Sequence, residues 1–410
     1  MAASASTRGL GVAVIGAGMA GKAHMAAYRT AATLYEPVLP PIRLVSVGDV
    51  SPAFGEAAAT RYGFERNDTD WRAIADDPSI NVVSVVIANR FHREVVEGLL
   101  AAGKHVLCEK PLSDTLDDAR AMATAAHEAS TIARVGFTYR RSPGIAYIRD
   151  LVRSGTLGRV LHFSGRYWCD YAADPRTPLS WRFQGPAGSG ALADVGSHLS
   201  YLAEFVCGDI RSVSGGRFAT VIDERPEPLG MVSGRGATAV SDTLGRVEND
   251  DYATFSAAFD EGVGAFEVSR VATGHANTLT FEVFGDAGSA SFDFRRPAEV
   301  GLYLAEGPAA QRGFRQVILG PDHPYLAGGL AMDAQGVGFG QNEGFVFQAR
   351  AFLEEVAGLP EEASLPRCAT FDEGVHNMEL LAAVASSAEA GGATVTVGDV
   401  AATKNEEVPA

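Results

Sequence analysis

Short apolar runs and amphipathic segments alternate along the first third of the chain. Runs rich in Val, Ile and Leu predict buried strands, and the spacing of apolar residues between them predicts helices. The predicted strands are 11–15, 42–49, 82–88, 105–108 and 132–136, and the predicted helices are 22–28, 52–62, 70–74, 92–102 and 116–130. Strands alternating with helices are typical of a parallel, doubly wound sheet, which binds ligands beyond the carboxyl ends of its strands.

The pattern changes from about residue 139. After a helix at 144–153, apolar and polar residues alternate strictly in segments separated by Gly and Asp turns, which predicts an open, largely antiparallel sheet with one covered face. Its predicted strands are 160–168, 212–220, 254–259, 263–272, 278–284, 290–294 and 394–397, and later helices are predicted at 343–356 and 371–390. The glycine- and charge-rich segment 222–249 is predicted to be a loop, and residues 404–410 are predicted to fray.

The sequence Gly16-Ala17-Gly18-Met19-Ala20-Gly21 links the first strand to the first helix. Gly16 permits a tight turn, Gly18 allows close approach of a pyrophosphate, and Gly21 allows the helix to pack on the strand. Asp49 ends the second strand, where a carboxylate binds ribose hydroxyls and repels a 2′-phosphate. No arginine follows it directly, so NAD is favoured over NADP. We therefore predict an α/β protein with a Rossmann domain at 8–137 and a second α/β domain at 138–400.

Composition narrows the classes of partner. The 410 residues are 46% hydrophobic and 20% charged, and the formal net charge is −16. This balance fits a globular protein and argues against nucleic-acid binding or binding to an anionic membrane. No apolar signal core or run of 18 apolar residues is found, so a cytoplasmic protein is expected. Cysteines 108, 169, 207 and 368 form no Cys-x-x-Cys pair, so free thiols and no metal site are expected.

Several chemically active residues fall at predicted ligand-facing positions. Asn89, Glu109 and Lys110 follow predicted parallel strands. Asp194 and His198 are four residues apart in a predicted helix, where they share one face. A carboxylate beside an imidazole raises its basicity and fixes its tautomer, as a general base requires. The same pair could equally be an ordinary polar pair on a solvated helix face.

Four motifs occur in this order along the chain: the glycine loop with His24, Ala-Asn89-x-x-His92, Cys-Glu-Lys110-Pro and Asp194-x-Gly-x-His198. Together they resemble the glucose–fructose oxidoreductase, inositol dehydrogenase and rhizopine-catabolism (Gfo/Idh/MocA) family. Two departures are visible. The family's Thr-Pro-Asn-x-x-His reads Ile-Ala-Asn-Arg-Phe-His here, and Tyr201 stands where many members carry an acid.

The resemblance implies a nicotinamide cofactor between the two domains and a sugar or cyclitol substrate, without a metal. It assigns catalysis to Lys110, Asp194 and His198, and it implies a homodimer or homotetramer formed through the second sheet. The cofactor residues it implies are Gly16, Gly18, Met19, Ala20, Gly21, Asp49, Asn89, His92, Glu109 and Lys110. Candidates for the sugar face are Tyr139, Trp168, Trp181 and Arg182, together with the three catalytic residues.

A finer likeness ranks the substrates. The insert at 35–41, the segment 178–183 and the segment 338–343 resemble the branch of the family that oxidises an anhydrosugar with NAD. The expected reaction is reversible hydride transfer from a secondary alcohol, with His198 as base, Asp194 stabilising the imidazolium and Lys110 binding the reacting oxygen. Two alternatives stay open: a ketosugar reductase of secondary-metabolite sugar biosynthesis, and a non-catalytic dinucleotide-binding sensor.

Overall fold

A computed structural model describes residues 9–36, 39–230 and 238–399. The predicted frayed end at 404–410 lies outside these residues, as do parts of the insert at 35–41 and of the predicted loop at 222–249.

The first part of the chain forms an all-parallel sheet with helices packed on it. Its elements in chain order are β1 (Leu10–Ile15), α1 (Met19–Ala31), β2 (Ile42–Gly48), α2 (Pro52–Tyr62), β3 (Arg66–Asp68), α3 (Trp71–Asp76), β4 (Val82–Val85), α4 (His92–Ala101), β5 (His105–Glu109), α5 (Leu116–Glu128) and β6 (Ala133–Gly136). The strand order is β3-β2-β1-β4-β5-β6, so the order reverses between β1 and β4. Such a reversal opens a crevice at the carboxyl ends of the strands, where dinucleotides bind.

The second part contains a mixed, mostly antiparallel sheet. Its elements are α6 (Pro143–Arg153), β7 (Val160–Trp168), α7 (Ser197–Cys207), β8 (Ile210–Ala219), β9 (Glu224–Pro228), β10 (Val240–Arg246), β11 (Tyr252–Phe259), β12 (Val263–Ser269), β13 (Thr278–Gly285), β14 (Gly288–Asp293), β15 (Glu299–Leu304), β16 (Arg315–Ile318), α8 (Gln341–Val356), α9 (Phe371–Glu389) and β17 (Val395–Thr396). The sheet order is β16-β15-β14-β13-β7-β12-β11-β8-β17, and β7 and β12 are its parallel pair. The predicted α/β fold with these two sheets is confirmed.

The helices of the second part cover one face of the large sheet and also reach the first domain. α9 packs on β8 and α5, while α8 packs on α1. Phe347 and Phe352 of α8 are buried in one apolar cluster with Met25 and Tyr28 of α1. The contact between α8 and α1 therefore joins the second part of the chain to the first. The domain boundary at 137/138 stays a prediction.

The structure corrects the sequence analysis at three places. The segment 222–249 is not only loop, since β9 and β10 within it pair as an antiparallel ribbon. The two prolines of β9 explain why this ribbon was not predicted, because proline is rare within strands. β3, a polar edge strand, was missed, as were β15 and β16 at the edge of the large sheet. Within the described residues, no helix is long and apolar enough to span a membrane.

Candidate active site

The glycine loop between β1 and α1 has the shape that a dinucleotide needs. Gly16 has φ +109°, and a Cβ there would lie 2.1 Å from the carbonyl oxygen of Val86. A Cβ at Gly21 would lie 1.8 Å from the carbonyl oxygen of Gly16. A Cβ at Gly18 would meet no atom within 4 Å. Two of the glycines are thus required by packing, while Gly18 faces open space where a pyrophosphate would approach.

The amino end of α1 is suited to an anion. Gly18 is its N-cap, no side chain caps it, and its first turn holds no acid. Its first N–H groups therefore face outward with the positive end of the helix dipole. Met19 is 68% exposed beside them, and Ala20 is half-buried. Asp49, just after β2, accepts hydrogen bonds from the N–H groups of Ala17 and Ser51, each at 2.9 Å. These residues fit a bound dinucleotide.

The other predicted cofactor residues divide into two groups. Asn89 begins a short 3-10 turn after β4 and is partly exposed. His92 is fully buried, with Nδ1 and Nε2 each 3.1 Å from the carbonyl oxygens of Leu112 and Ile87. Burial lowers the pKa of His92. His92 therefore links the segments after β4 and β5, and its contact with a cofactor stays a prediction.

Glu109 links α1 to the end of β5. Its Oε1 lies 2.8 Å from Nε2 of His24, whose ring is 2% exposed. The other nitrogen of His24 lies 3.1 Å from the hydroxyl of Ser84 in β4. These two contacts of His24 hold the end of β5, and with it the next residue, Lys110, beside α1.

Lys110 of the first domain meets Asp194 of the second. Its Nζ donates to the backbone oxygen of Asp194 at 2.8 Å and lies 3.8 Å from Oδ1 of the same residue. The Lys110 side chain is 11% exposed and that of Asp194 is 34% exposed. The two domains thus bring an ammonium and a carboxylate together at a partly accessible position.

Asp194 lies in a π-helical turn, Leu192–Gly196, which runs directly into α7. The sequence analysis predicted a regular helix here and could not foresee the wider turn. Single π turns occur often at functional sites. The hydroxyl of Tyr171 donates to Oδ2 of Asp194 at 2.7 Å. Tyr171 was not predicted, because it comes from a loop after β7 that carries no periodic signal.

His198, at the start of α7, is held by two tyrosines. Its ring stacks on Tyr139, with centroids 4.2 Å apart and an interplanar angle of 14°. Its Nδ1 lies 2.9 Å from the hydroxyl of Tyr201, whose oxygen also accepts the backbone N–H of Tyr139 at 3.2 Å. Nδ1 is thus engaged by a buried phenol, so any proton exchange between this ring and a substrate would take place at Nε2.

A closed ring of hydrogen bonds surrounds the hydroxyl of Tyr139. Tyr139 Oη lies 2.8 Å from Tyr167 Oη, and Tyr167 Oη donates to Asn277 Oδ1 at 2.7 Å. Asn277 Nδ2 donates to Gln341 Oε1 at 3.2 Å, and Gln341 Nε2 donates back to Tyr139 Oη at 2.8 Å. The two tyrosines are buried, whereas the two amides are exposed. The ring fixes the aromatic plane against which His198 rests.

The glycine-rich approach to Asp194 is organised by Asp250. One oxygen of this carboxylate accepts the N–H groups of Gly188 and Gly190, at 2.8 and 2.9 Å, and the other accepts that of Leu192 at 2.8 Å. Asp250 is 1% exposed. Charge-assisted bonds to three N–H groups within five residues hold the segment that carries Asp194.

The remaining sugar-face candidates are Trp168, Trp181 and Arg182 of the second part of the chain. Trp168, at the end of β7, is partly buried and has Arg166 over its ring at 4.6 Å. Trp181 is 55% exposed, and the guanidinium of Arg182 lies 4.3 Å from its ring centroid. No measured distance ties these three to Lys110, so their contact with a sugar stays a prediction. Among the described residues, no cluster of His, Cys, Asp and Glu could hold a metal ion.

Comparison with known proteins gives the same picture. Two family profiles match the chain: the oxidoreductase family with an NAD-binding Rossmann fold (GFO_IDH_MocA) over residues 10–137, and the GFO/IDH/MocA C-terminal domain over residues 145–291. Levoglucosan dehydrogenase of Pseudarthrobacter phenanthrenivorans is 38% identical over 85% of this chain and 89% of its own length. The 1,5-anhydro-D-fructose reductase of Ensifer adhaerens is 34% identical over 40% of this chain and 49% of its own length.

Solved structures agree over nearly the whole length. Levoglucosan dehydrogenase in complex with NADH and levoglucosan superposes with a TM-score of 0.85 at 34% identity, covering 95% of this chain and all of that one (100%). An oxidoreductase domain protein from Kribbella flavida gives a TM-score of 0.84 at 35% identity, covering 95% of this chain and 100% of its own. With its glycine loop, its lysine motif and its histidine helix, the chain belongs to the Gfo/Idh/MocA family of NAD-binding oxidoreductases.

Proposed function

We propose that this protein is an NAD-dependent dehydrogenase that oxidises a secondary hydroxyl of an anhydrosugar, with levoglucosan as the first substrate to test. The observation that carries the proposal is the meeting of Lys110 and Asp194 across the two domains, at 2.8 and 3.8 Å. Further support comes from levoglucosan dehydrogenase, which matches 85% of the chain. Other sugars and cyclitols are the next candidates, since inositol 2-dehydrogenases match part of the chain.

Side chains of this protein provide the base and the hydrogen-bond donor that oxidation of an alcohol requires. NAD, when bound, accepts a hydride from the carbon that bears the hydroxyl, so that hydroxyl must release a proton. His198 takes the proton at Nε2, the nitrogen that does not face Tyr201. Lys110 donates a hydrogen bond to the reacting oxygen and stabilises the negative charge that develops there. Asp194 balances the charge of Lys110 and of the imidazolium.

The cofactor contacts that we propose use the groups around the glycine loop. The N–H groups at Gly18, Met19 and Ala20 bind the pyrophosphate, and Gly16 and Gly21 shape the loop. Asp49 binds the adenosine ribose, which favours NAD over NADP. Asn89, Glu109 and Lys110 border the nicotinamide end, with His92 supporting their turns. Tyr139, Trp168, Trp181 and Arg182 form the sugar side.

The test is NADH formation by the purified protein with levoglucosan, other anhydrosugars, pentoses and inositols. We expect NAD-dependent turnover with levoglucosan among the best substrates, and Lys110→Ala to lower kcat/KM by about 10²–10³-fold. Arg159→Gln, an exposed change at the start of β7 (63% exposed), serves as the control and should leave turnover intact. No NADH formation with any of these alcohols would overturn the dehydrogenase proposal.

The match to 1,5-anhydro-D-fructose reductase favours reduction of a ketosugar as the second candidate function. Faster turnover of NADH with ketosugars than of NAD with polyols would establish it. A sensor without catalysis is the third. It would be supported if Lys110→Ala left the biological effect unchanged while Gly18→Asp abolished it.

We further propose a cytoplasmic homodimer or homotetramer. The outward face of the large sheet carries the apolar side chain of Val263, which is 57% exposed and suits an isologous contact. The cysteines at 108, 169, 207 and 368 are free thiols, as a reducing compartment would keep them. Sedimentation of the purified protein tests the assembly, and a monomer would contradict it.

A further inference from the structure

A small cavity lies behind the turn Thr138–Arg141, on the side away from the Tyr139 ring and its hydrogen bonds. Its volume is about 60 Å³, enough for about four to six water molecules at ~10–15 Å³ each, or for one compact oxyanion. Four of its twelve lining residues are arginines, and no carboxylate belongs to the wall among the described residues. The cationic wall residues are Arg140, Arg141, Arg149 and Arg367.

Two of these arginines have no acidic partner among the described residues. Arg141 is 4% exposed and donates to the Pro366 carbonyl oxygen at 2.6 Å, the Tyr325 hydroxyl at 3.3 Å and the Cys368 thiol at 3.2 Å. Arg367 donates to the carbonyl oxygen of Leu359 at 2.6 Å. Within the described part of the chain, neither forms an ion pair. The buried charge of Arg141 is costly without a counter-charge, and the half-buried Arg367 adds a second positive charge that no carboxylate among the described residues balances.

The other two arginines are balanced outside the cavity. Arg140 pairs with Glu373, and Arg149 pairs with Asp150 at 2.7 Å. The cluster is dense enough to affect a neighbour: burial and then the charges of Arg149 and Arg140 lower the pKa of Arg153. In a chain of net charge −16, this concentration of like charge indicates that a negative group belongs between them.

Unpartnered donors gather at the same place. Of the six buried side-chain polar atoms that lack a hydrogen-bond partner in the described residues, three belong to this wall: Arg140 Nε, Arg367 Nη1 and Gln348 Nε2. The Gln348 amide is oriented by Thr138, whose hydroxyl donates to Oε1 at 3.0 Å and leaves Nε2 as the donor. Buried donors in native proteins are normally paired, so three at one cavity point to a missing acceptor.

We propose that this cavity is a binding site for a small dianionic oxyanion, with inorganic phosphate as its probe. Two unbalanced guanidinium groups match a charge of about two, and several N–H donors match the multiple acceptor oxygens of phosphate. The site is separate from the glycine loop: it lies beyond the end of β6, among α6, α7 and α8. An anion bound there contacts the same four-residue turn that presents Tyr139 to His198.

The test uses the full-length protein saturated with NADH, so that the glycine loop is already occupied. Thermal midpoints are compared in phosphate and in chloride at one ionic strength. We expect phosphate to raise the midpoint of the wild type and of Arg159→Gln, an exposed arginine paired with Asp286. Arg367→Gln should bind phosphate about tenfold more weakly or worse, because it removes a charged donor from the wall.

A phosphate effect that is absent, or equally large in Arg367→Gln, overturns the proposal. Crystals soaked in selenate give a measurement that does not depend on the stability of a variant. An anomalous peak in the cavity supports the site, and a well-ordered empty cavity or a water cluster there contradicts it.

Discussion

Nδ1 of His198 and the phenolic oxygen of Tyr201 lie 2.9 Å apart within one turn of α7. Tyr201 is fully buried, and its oxygen already accepts the N–H of Tyr139. No other acceptor for the phenolic hydrogen is found among the described residues, so that hydrogen is donated to Nδ1. A neutral imidazole held in this way carries its own hydrogen on Nε2. To accept a substrate proton at Nε2, the ring must first move its own hydrogen from Nε2 to Nδ1, and the phenol must rotate so that its oxygen accepts from Nδ1.

Tyr201→Phe tests this relationship. The change keeps the stacking on Phe137, whose ring centroid is 4.1 Å away, and removes only the hydroxyl. Because the phenol favours the neutral ring, we expect the acidic limb of the kcat/KM profile to move to higher pH. Because the imidazole of His198 also loses the hydrogen bond that orients it, kcat should fall by about tenfold with a smaller change in KM.

Tyr252→Phe is the matched control, since its hydroxyl contacts Glu267 on the large sheet at 3.2 Å, away from His198. It should leave the pH profile unchanged. Movement of the acidic limb of Tyr201→Phe to lower pH would show instead that Nδ1 already donates to the phenol in the free enzyme.

What the sequence could reveal of this site depends on distance along the chain. His198 and Tyr201 are three residues apart, so helical spacing alone brings them together. Lys110 and Asp194 were recognised by their motifs. By contrast, Tyr171 and Asn277 reach the site from loops, and no local pattern marks them. The π turn at Leu192–Gly196 also has no compositional signal, because it depends on how Asp250 binds the preceding backbone.

The fold shows the same division. The apolar strands β1, β4 and β5 are buried on both faces and were predicted from their composition. β3, Arg66–Asp68, is an edge strand of polar residues that pairs with β2 through its backbone and through a hydrogen bond from the Ser46 hydroxyl to Asp68 Oδ2 at 2.6 Å. Both contacts depend on the neighbouring strand, so the polar composition of β3 does not predict it.

Gly18 and Gly21 should respond differently to the same substitution. Gly18→Ala places a methyl group in open space, at a backbone φ of −68° that alanine adopts readily. The apo protein should keep its stability within about 0.5 kcal/mol but bind NADH much more weakly, because the methyl group occupies the pyrophosphate position. Gly21→Ala drives a methyl group into the Gly16 carbonyl and should unfold the apo protein several degrees earlier. Calorimetry and NADH titration separate the two effects, and equal loss of stability would refute this reading of the loop.

Asp250→Asn should weaken both the fold and catalysis. An amide cannot accept from the N–H groups of Gly188, Gly190 and Leu192 at both ends, so at least one buried donor loses its acceptor. We expect a loss of about 2 kcal/mol or more in unfolding free energy, together with a lower kcat from displacement of Asp194. Asp209→Asn, at a carboxylate that is 58% exposed, should change stability by no more than about 0.5 kcal/mol. Urea unfolding and kinetics of both variants provide the check, and an unaltered kcat in Asp250→Asn would contradict the positioning role.

His323 should make the fold sensitive to mild acid. The residue is 8% exposed, its Nδ1 accepts the Tyr325 N–H at 3.2 Å, and burial lowers its pKa to about 4. In the unfolded chain the pKa is about 6.5. The unfolded state therefore binds a proton first as the pH falls. Stability is unaffected by this residue above about pH 6.5 and is lost progressively down to about pH 4, with about 2 kcal/mol lost at pH 5.

His323→Asn removes the titrating ring and retains a side-chain acceptor for the Tyr325 N–H. Urea unfolding at a series of pH values should therefore show a shallower loss of stability in this variant than in the wild type between about pH 6.5 and pH 4. His127→Asn is the control, because that histidine side chain is 66% exposed and pairs with Asp372 at the surface. Its stability should fall with pH nearly in parallel with the wild type. If the His323→Asn curve were also parallel to the wild type, then His323 would not be held neutral by its buried position, and the acid sensitivity would have to come from the carboxylates.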